Sequence, residues 1–424
     1  MGFLFKMDLG NRVIAEKIAQ YPDRGLPVID IDLKGVSLEE IHGRSKEVKY
    51  ERNQLAVINN GKIEEYGGVE LKGRGNTTWG QDKRPYQIKF ENKVDLLGMG
   101  RARKWVLLAN VVDVTSLRND VAFMLAEMVG MDYNYRGKFV ELYVDGKYKG
   151  LYYAVQRIEI AKGSVDLRGE DGVLVEMDLI HDGEGSCYTT YLGECLILKD
   201  SVKDINEGDE VMGKFLANFN KAEMAVEKGD YDELATVFDI ESFAKYFLIN
   251  EFSTNPDAYS SSFYMYNNDD GKIVAGPLWD FDFAFGNREW VWQVDEEFFS
   301  PSANMIRKRE ALGEDGLKAY SGISRLIYYL MEMPEFREEV ARVFNEQMFG
   351  RSDGLMWEIE QKALENENAA VLDIGRWKHE SIHSLNDAKD EYWTEVREMM
   401  LWIKTRYSHF ESEYGHEAQV QRLL

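Results

Sequence analysis

Residues 255 to 286 read NPDAYSSSFYMYNNDDGKIVAGPLWDFDFAFG. Three acids in this run are spaced for chemistry: Asp257 stands alone, and Asp280 and Asp282 follow as a pair. Between them Tyr264 and Tyr266 alternate before a turn signal at Asp269-Asp270-Gly271, and Ile273 and Ala275 come after it. That pattern predicts a two-stranded hairpin that folds the later acids back toward the first. A lone carboxylate facing a second acidic site is what phosphoryl transfer to a hydroxyl needs. One acid orients the nucleophile or accepts its proton, and the other holds the divalent metal that bridges the phosphates. The bland alternative is a pair of turn caps in an acidic protein. Trp279, Phe281, Phe283 and Phe285 surround the later acids, and a carboxylate desolvated there without a partner is costly, which favours the functional reading.

The elements that must position these acids follow from periodicity. DIESFAKYFLINEF, 239 to 252, sets Ile240, Phe243, Ala244, Phe247 and Leu248 at helical spacing, so a buried helix is expected to lead straight into the Asp257 loop. VIDIDL at 28 to 33 reads as a strand, and residues 54 to 110 read as a series of short strands. In VELKGRG, Val69 and Leu71 face one way and Glu70, Lys72 and Arg74 the other; in YQIKF, Tyr86, Ile88 and Phe90 oppose Gln87 and Lys89. Arg74 and Lys89 are therefore expected on a polar sheet face, where cations can hold phosphates. DVTSLRNDVAFMLAEMVG, 113 to 130, reads as a helix that begins at cap-competent residues, ends at Gly130 and packs on the sheet. FVELYV and YKGLYYAV are expected to pair across Asp145-Gly146, and GVLVEMD to add a strand. Residues 8 to 21 read as an amphipathic helix, and 318 to 411 as several helices with polar loops near 351 and 384. The change of pattern near 205 predicts an α+β chain, strand-rich over 1–204 and helix-rich over 205–424.

A hydrophobic fraction of 44% and charge of 30% over 424 residues describe a globular chain with a sizeable core. The net charge of −24 argues against nucleic acid, whose phosphates need clustered Lys and Arg. It suits a basic polypeptide partner, although acidity of this size more often serves solubility alone. No stretch approaches the length of a membrane span. MGFLFKMDLG lacks an apolar signal core, so the chain as written is expected to be soluble and cytoplasmic; a cell or spore surface would require a leader removed beforehand. Cys187 and Cys195 flank a turn signal and are either a hairpin disulfide or two free thiols. His379-Glu380-Ser381-Ile382-His383 matches the HExxH zinc pattern, but Arg376-Trp377-Lys378 before it, Asn386-Asp387 after it and the lack of a third-ligand motif favour a solvated helix face. The Asn76-Thr77-Thr78 sequon matters only in a eukaryotic secretory pathway.

LKGRGNTTW (71–79), KRPYQIKF (83–90), WVLLANVVDVTSLRND (105–120), VELYVDGKYKGLYY (140–153), NPD (255–257) and WDFDFAFG (279–286) occur in the order seen in the spore coat protein H (CotH) family of atypical protein kinases. The chain resembles that family. The resemblance implies a two-lobed kinase-like fold, use of ATP with Mg2+ or Mn2+, and phosphorylation of Ser or Thr hydroxyls of a protein substrate; with the basic partner suited to the charge above, a basic, Ser-rich polypeptide is the expected substrate. It implies Asp257 as the catalytic residue, Asp280 as the metal ligand, and Lys89 with Arg74 at the nucleotide phosphates; Asp282, two residues on in an extended run, is expected to point to the same side as Asp280 and to be the second metal ligand. Lys72 competes with Lys89, and Glu127, Glu159 or Glu176 would tether that lysine. Two departures stand out. Ser262 occupies the position, five after Asp257, where protein kinases carry a metal-binding Asn. Gln156 stands where the family usually has Glu. Both lend weight to the alternative of a catalytically weak binding or coat-assembly protein with the same fold.

Overall fold

This is a computed structural model of the protein, and it describes residues 18–133, 136–178, 186–203, 205–268, 270–287, 324–377 and 382–415. The helix expected over 8–21 lies almost wholly outside them. The chain forms two compact units: the first from residues 1–117, 136–157 and 360–397, the second from 118–135, 158–359 and 398–424. Strands give way to helices between Ser201 and Ile205, as the pattern predicts, with one further hairpin beyond. The units themselves interleave along the chain.

The first unit is a closed barrel. Its strands are β1 (Val28–Asp32), β2 (Tyr50–Asn59), β3 (Lys62–Gly73), β4 (Tyr86–Asp95), β5 (Arg101–Leu108), β6 (Lys138–Val144) and β7 (Lys147–Gln156), in the order β1-β2-β3-β4-β5-β7-β6, with β6 closing onto β1 in parallel. Alternate residues build the interior: Ile29, Ile31, Leu55, Val57, Val69, Leu71, Ile88, Phe90, Trp105, Leu107, Val140 and Leu142 are buried in one cluster, as period-two patterning requires. The β6–β7 hairpin turns at Asp145 (φ 51°) and Gly146 (φ 68°), the doubly left-handed turn that Asp-Gly favours. A short helix, α1 (Leu38–His42), is capped by Ser37, whose hydroxyl accepts from Glu40 N at 3.1 Å.

Lys83, within KRPYQIKF, is 1% exposed and donates to Asp373 Oδ2 and Leu151 O, each at 2.7 Å. Asp373 Oδ1 accepts Leu151 N at 2.9 Å. The carboxylate lies so close to β7 that a Cβ at Gly150 would sit 2.0 Å from Asp373 Oδ1. Only glycine fits there, at φ 124°. A buried pair of this kind needs both partners, because either charge alone would be left desolvated.

In the second unit, β8 (Val173–Met177), β9 (Cys187–Thr189), β10 (Cys195–Ser201), β11 (Phe263–Asn267) and β12 (Ile273–Ala275) form an antiparallel sheet in the order β12-β11-β8-β10-β9. The structure joins Cys187 to Cys195 as a disulfide. Helices α2 (Arg118–Met128), α3 (Ile205–Lys228), α4 (Tyr231–Val237), α5 (Ile240–Ser253), α6 (Arg325–Glu332) and α7 (Pro334–Val343) accompany it. Two long helices follow, α8 (Ser352–Trp377) and α9 (Leu385–Tyr414); residues 360–397 count with the first unit and the rest with the second.

Helix α2 begins five residues later than the caps suggest. Asp113 Oδ1 accepts Thr115 N (3.0 Å) and Thr115 Oγ1 (2.6 Å), and Thr115 Oγ1 accepts Leu117 N (3.1 Å). These side chains take the backbone donors into turns instead of starting the helix. Residues 118–126 are all buried, and α2 packs against α5. No described helix is long and apolar enough to cross a membrane.

Candidate active site

Helix α5 delivers the first acid. Asp239 caps its start by accepting Ser242 N at 3.0 Å, and Thr254 ends it in the left-handed conformation (φ 48°). Asn255, 3% exposed, then organises the loop. Its Nδ2 donates to Asn250 Oδ1 and to Asp280 O, both at 3.3 Å, and its Oδ1 accepts Asp257 N at 3.2 Å. One amide thus ties the Asp257 loop to the Asp280 backbone. Asp257 O accepts Ser260 N (3.1 Å), Ser261 N (3.2 Å) and Ser260 Oγ (2.9 Å), which leaves the carboxyl clear of the turn.

The second acid follows β12, the strand that the β11–β12 hairpin turns back across Asn268 to Lys272. Asp280 has φ 70°, a left-handed conformation that Asp tolerates better than most residues. Backbone anchors hold the following turn: Asn119 Oδ1 accepts Phe281 N at 2.9 Å, Arg118 Nε donates to Ala284 O at 2.9 Å, and Phe285 N donates to Ser253 O at 2.8 Å. Ser262, also left-handed at φ 53°, donates its hydroxyl to Asp280 Oδ2 at 3.3 Å. Non-glycine residues held at positive φ on both sides of one carboxylate store local strain that the surrounding packing must sustain.

Burial pushes the Asp257 carboxyl up to about 7, and the Asp280 charge adds to the rise. Asp257, Asp280 and Ser262 therefore come together, all within the second unit. Asp282 is different. The expected extended run over 280–282 does not form, because Asp280 is left-handed and residues 282–286 turn. Asp282 is 7% exposed and its carbonyl accepts Asn287 Nδ2 at 2.7 Å, so strand alternation supplies no reason for it to share a side with Asp280.

Lys89 and Arg74 belong to the first unit. Lys89 lies on the outward face of β4, opposite Glu70 in register, with Nζ 3.9 Å from Glu70 Oε2. Lys72 on the same face pairs with Glu47 at 2.8 Å. None of the three glutamates weighed for Lys89 includes Glu70, and the signal that finds it is cross-strand register. Glu176 instead takes Lys199, at 2.5 Å. Gln156, 6% exposed, donates Nε2 to Met99 O at 2.7 Å; a glutamate would set a carboxylate against that carbonyl, so Gln suits this position. The positioning roles of Arg118 and Asn119 carry no signal in the local sequence pattern. His379 and Glu380 lie outside the described residues. His383 precedes α9 and is exposed, its N–H on Asp387 Oδ2 at 3.0 Å.

Among the described residues no three His, Cys, Asp or Glu side chains stand close enough to hold a metal ion. Two carboxylates and a hydroxyl are hard oxygen donors of the kind Mg2+ takes, and that ion usually completes its shell with water and phosphate rather than a protein cage.

A strand-rich barrel on the N-terminal side and a helix-rich C-terminal region that carries a pair of neighbouring acids define the class as an α+β protein. The family described as CotH kinase protein matches residues 71–415, most of the chain, and the chain belongs to that family. Comparison with curated proteins finds no match.

Proposed function

We propose that this protein transfers the γ-phosphoryl group of ATP to a Ser or Thr hydroxyl of a protein substrate. The observation that carries the reading is the convergence of Asp257, Asp280 and Ser262, with the Asp257 carboxyl raised by burial and by its acidic neighbour. Asp257 accepts a hydrogen bond from the acceptor hydroxyl and orients its oxygen for attack; a carboxyl near neutrality is suited to take the proton as the bond forms. Asp280 holds the metal and Ser262 orients its carboxylate; Asp282 as a second ligand is supported only by its place in the WDFDFAFG block. A bound Mg2+ or Mn2+ supplies charge neutralisation of the phosphates. Lys89 and Arg74 bind nucleotide phosphates, a separate assignment supported by their place in the KRPYQIKF and RGN blocks. The charge of −24 supports a basic substrate.

Labelled ATP, Mg2+ or Mn2+ and a basic Ser-rich peptide test the reading, with Asp257→Asn as the control. Transfer above that variant is expected. No transfer with either metal overturns the proposal. The second reading, a weak or inactive assembly protein, is favoured by Ser262, whose hydroxyl is a poorer metal ligand than the amide carbonyl of Asn.

A further inference from the structure

We infer that Arg406, on α9, is a positioning residue for the acid pair: it fixes the C-terminal end of α5, and through that end the Asp257 loop. The inference rests on the proposed transfer reaction for its catalytic consequence, but not for its structural one.

An α-helix ends with carbonyl groups that lack intrahelical partners, and these carry partial negative charge. Arg406 is 1% exposed and gives Nη2 to Glu251 O at 2.6 Å and Nε to Phe252 O at 3.3 Å. Both are last-turn carbonyls of α5, five or six residues before Asp257. The guanidinium lies 4.8 Å over Phe410 and 5.8 Å over Trp402. Its Nη1 makes no hydrogen bond to a described residue, and burial pulls the group down to about 10. A buried cation that bonds carbonyls rather than a carboxylate is expensive to keep. The α5 end is already closed by Thr254, whose N–H reaches Asn250 O and Glu251 O, so helix termination alone does not call for it.

The same face of α9 reaches the second acid's loop. The Trp402 ring stands perpendicular to Phe285 with centroids 6.1 Å apart. A Cβ on Gly286 would lie 2.6 Å from Trp402 Cδ1, so glycine at φ 67° lets the loop and the indole meet. Phe285 N in turn donates to Ser253 O, the last residue of α5. One turn of α9 therefore grips the helix before Asp257 with Arg406 and the turn after Asp280 with Trp402. Small misplacement of a reacting group, even from a distant change, lowers rate by about a hundredfold.

The test uses the full chain with Arg406→Met, Arg406→Lys and Trp402→Phe. Hydrogen–deuterium exchange is read at 254–262 and 280–286, alongside steady-state transfer and ATP affinity with Mg2+. For Arg406→Met the expected result is faster exchange confined to those two segments, kcat lower by roughly ten- to a hundredfold, and KM for ATP within about threefold. Arg406→Lys should restore part of both losses, because the ammonium keeps the charge and the donors but lacks the planar fork that meets the two carbonyls from separate nitrogens. Unchanged exchange at 254–262 in Arg406→Met overturns the inference. So does faster exchange throughout the second unit with kcat and KM falling together, which marks a merely structural residue. If Arg406→Met does not fold, Arg406→Lys and Trp402→Phe carry the same two criteria. A parent chain with no transfer activity sinks the kinase reading alone, and the exchange data still decide whether Arg406 holds the loop.

Discussion

Asp257→Asn should make the protein more stable while removing its activity. Folding places the partly buried Asp257 carboxyl beside Asp280, and its value rises from the ordinary 3.8 to about 7. A group with a raised folded value binds more protons in the folded state, so stability falls as pH climbs from about 4 to about 7 and is level above. A rise of that size corresponds to a ceiling of about 4 kcal/mol lost at pH 8. Asn removes the charge, keeps the volume and still pays for desolvating an amide, so the expected gain is about 1–3 kcal/mol at pH 8 and close to zero near pH 4. The backbone contacts of Asn255, Ser260 and Ser261 to residue 257 involve its N–H and carbonyl, and the substitution leaves them intact. Urea unfolding of metal-free parent and variant from pH 5 to 8.5 reads the gain, and a transfer assay reads the loss, expected at roughly two or more orders of magnitude. Equal stability of parent and variant at pH 8 would refute the claim that folding strains this carboxyl. Full transfer by Asp257→Asn would refute its role.

Asp280→Ala should weaken ATP binding measured by calorimetry in Mg2+ by at least about tenfold while leaving metal-free binding unchanged; equal loss in both conditions would remove Asp280 from the metal. Lys89→Ala should weaken nucleotide affinity more than Lys72→Ala, and the reverse order would move the phosphate contact to β3. Burial, with Glu194 as acidic neighbour, raises the Glu223 carboxyl to about 8, so it too lowers stability as pH rises from about 4.5 to about 8. Glu223→Gln, whose amide oxygen can accept Leu192 N and whose NH2 can turn to Thr190 Oγ1, where Glu223 now accepts from both, should flatten that slope in urea titrations; an unaltered slope would assign it elsewhere.

Much of the architecture was legible along the chain because periodicity is a local property. Alternation in VELKGRG and YQIKF put Leu71 and Ile88 inside and Lys72 and Lys89 outside, and the barrel has them so. The helix over 239–252, the Asp145-Gly146 hairpin and the strand pair before Asp280 formed where spacing and turn chemistry located them. The convergence of Asp257 with Asp280 followed from the same hairpin. The sequence by itself therefore determined the elements, their faces and the family blocks that span them.

Only the tertiary structure decided which elements are neighbours and which charges meet. β1 closes the barrel against β6, more than a hundred residues away, and β8 pairs with β11 in a different sheet. No local pattern encodes such partners, because they depend on which distant segments bury each other best. Register then gave Lys89 to Glu70, and the β8–β10 pairing brought Lys199, two residues past Glu176's register partner Ile197, to Glu176. The left-handed backbone at Asp280 and Ser262 replaced the extended run that alternation predicts. That conformation is unfavourable in an isolated peptide, and it persists because Asn119, Asn255 and Arg118 bind the backbone around it. A strained loop held by buried side chains from other parts of the chain can be specified only by the folded whole.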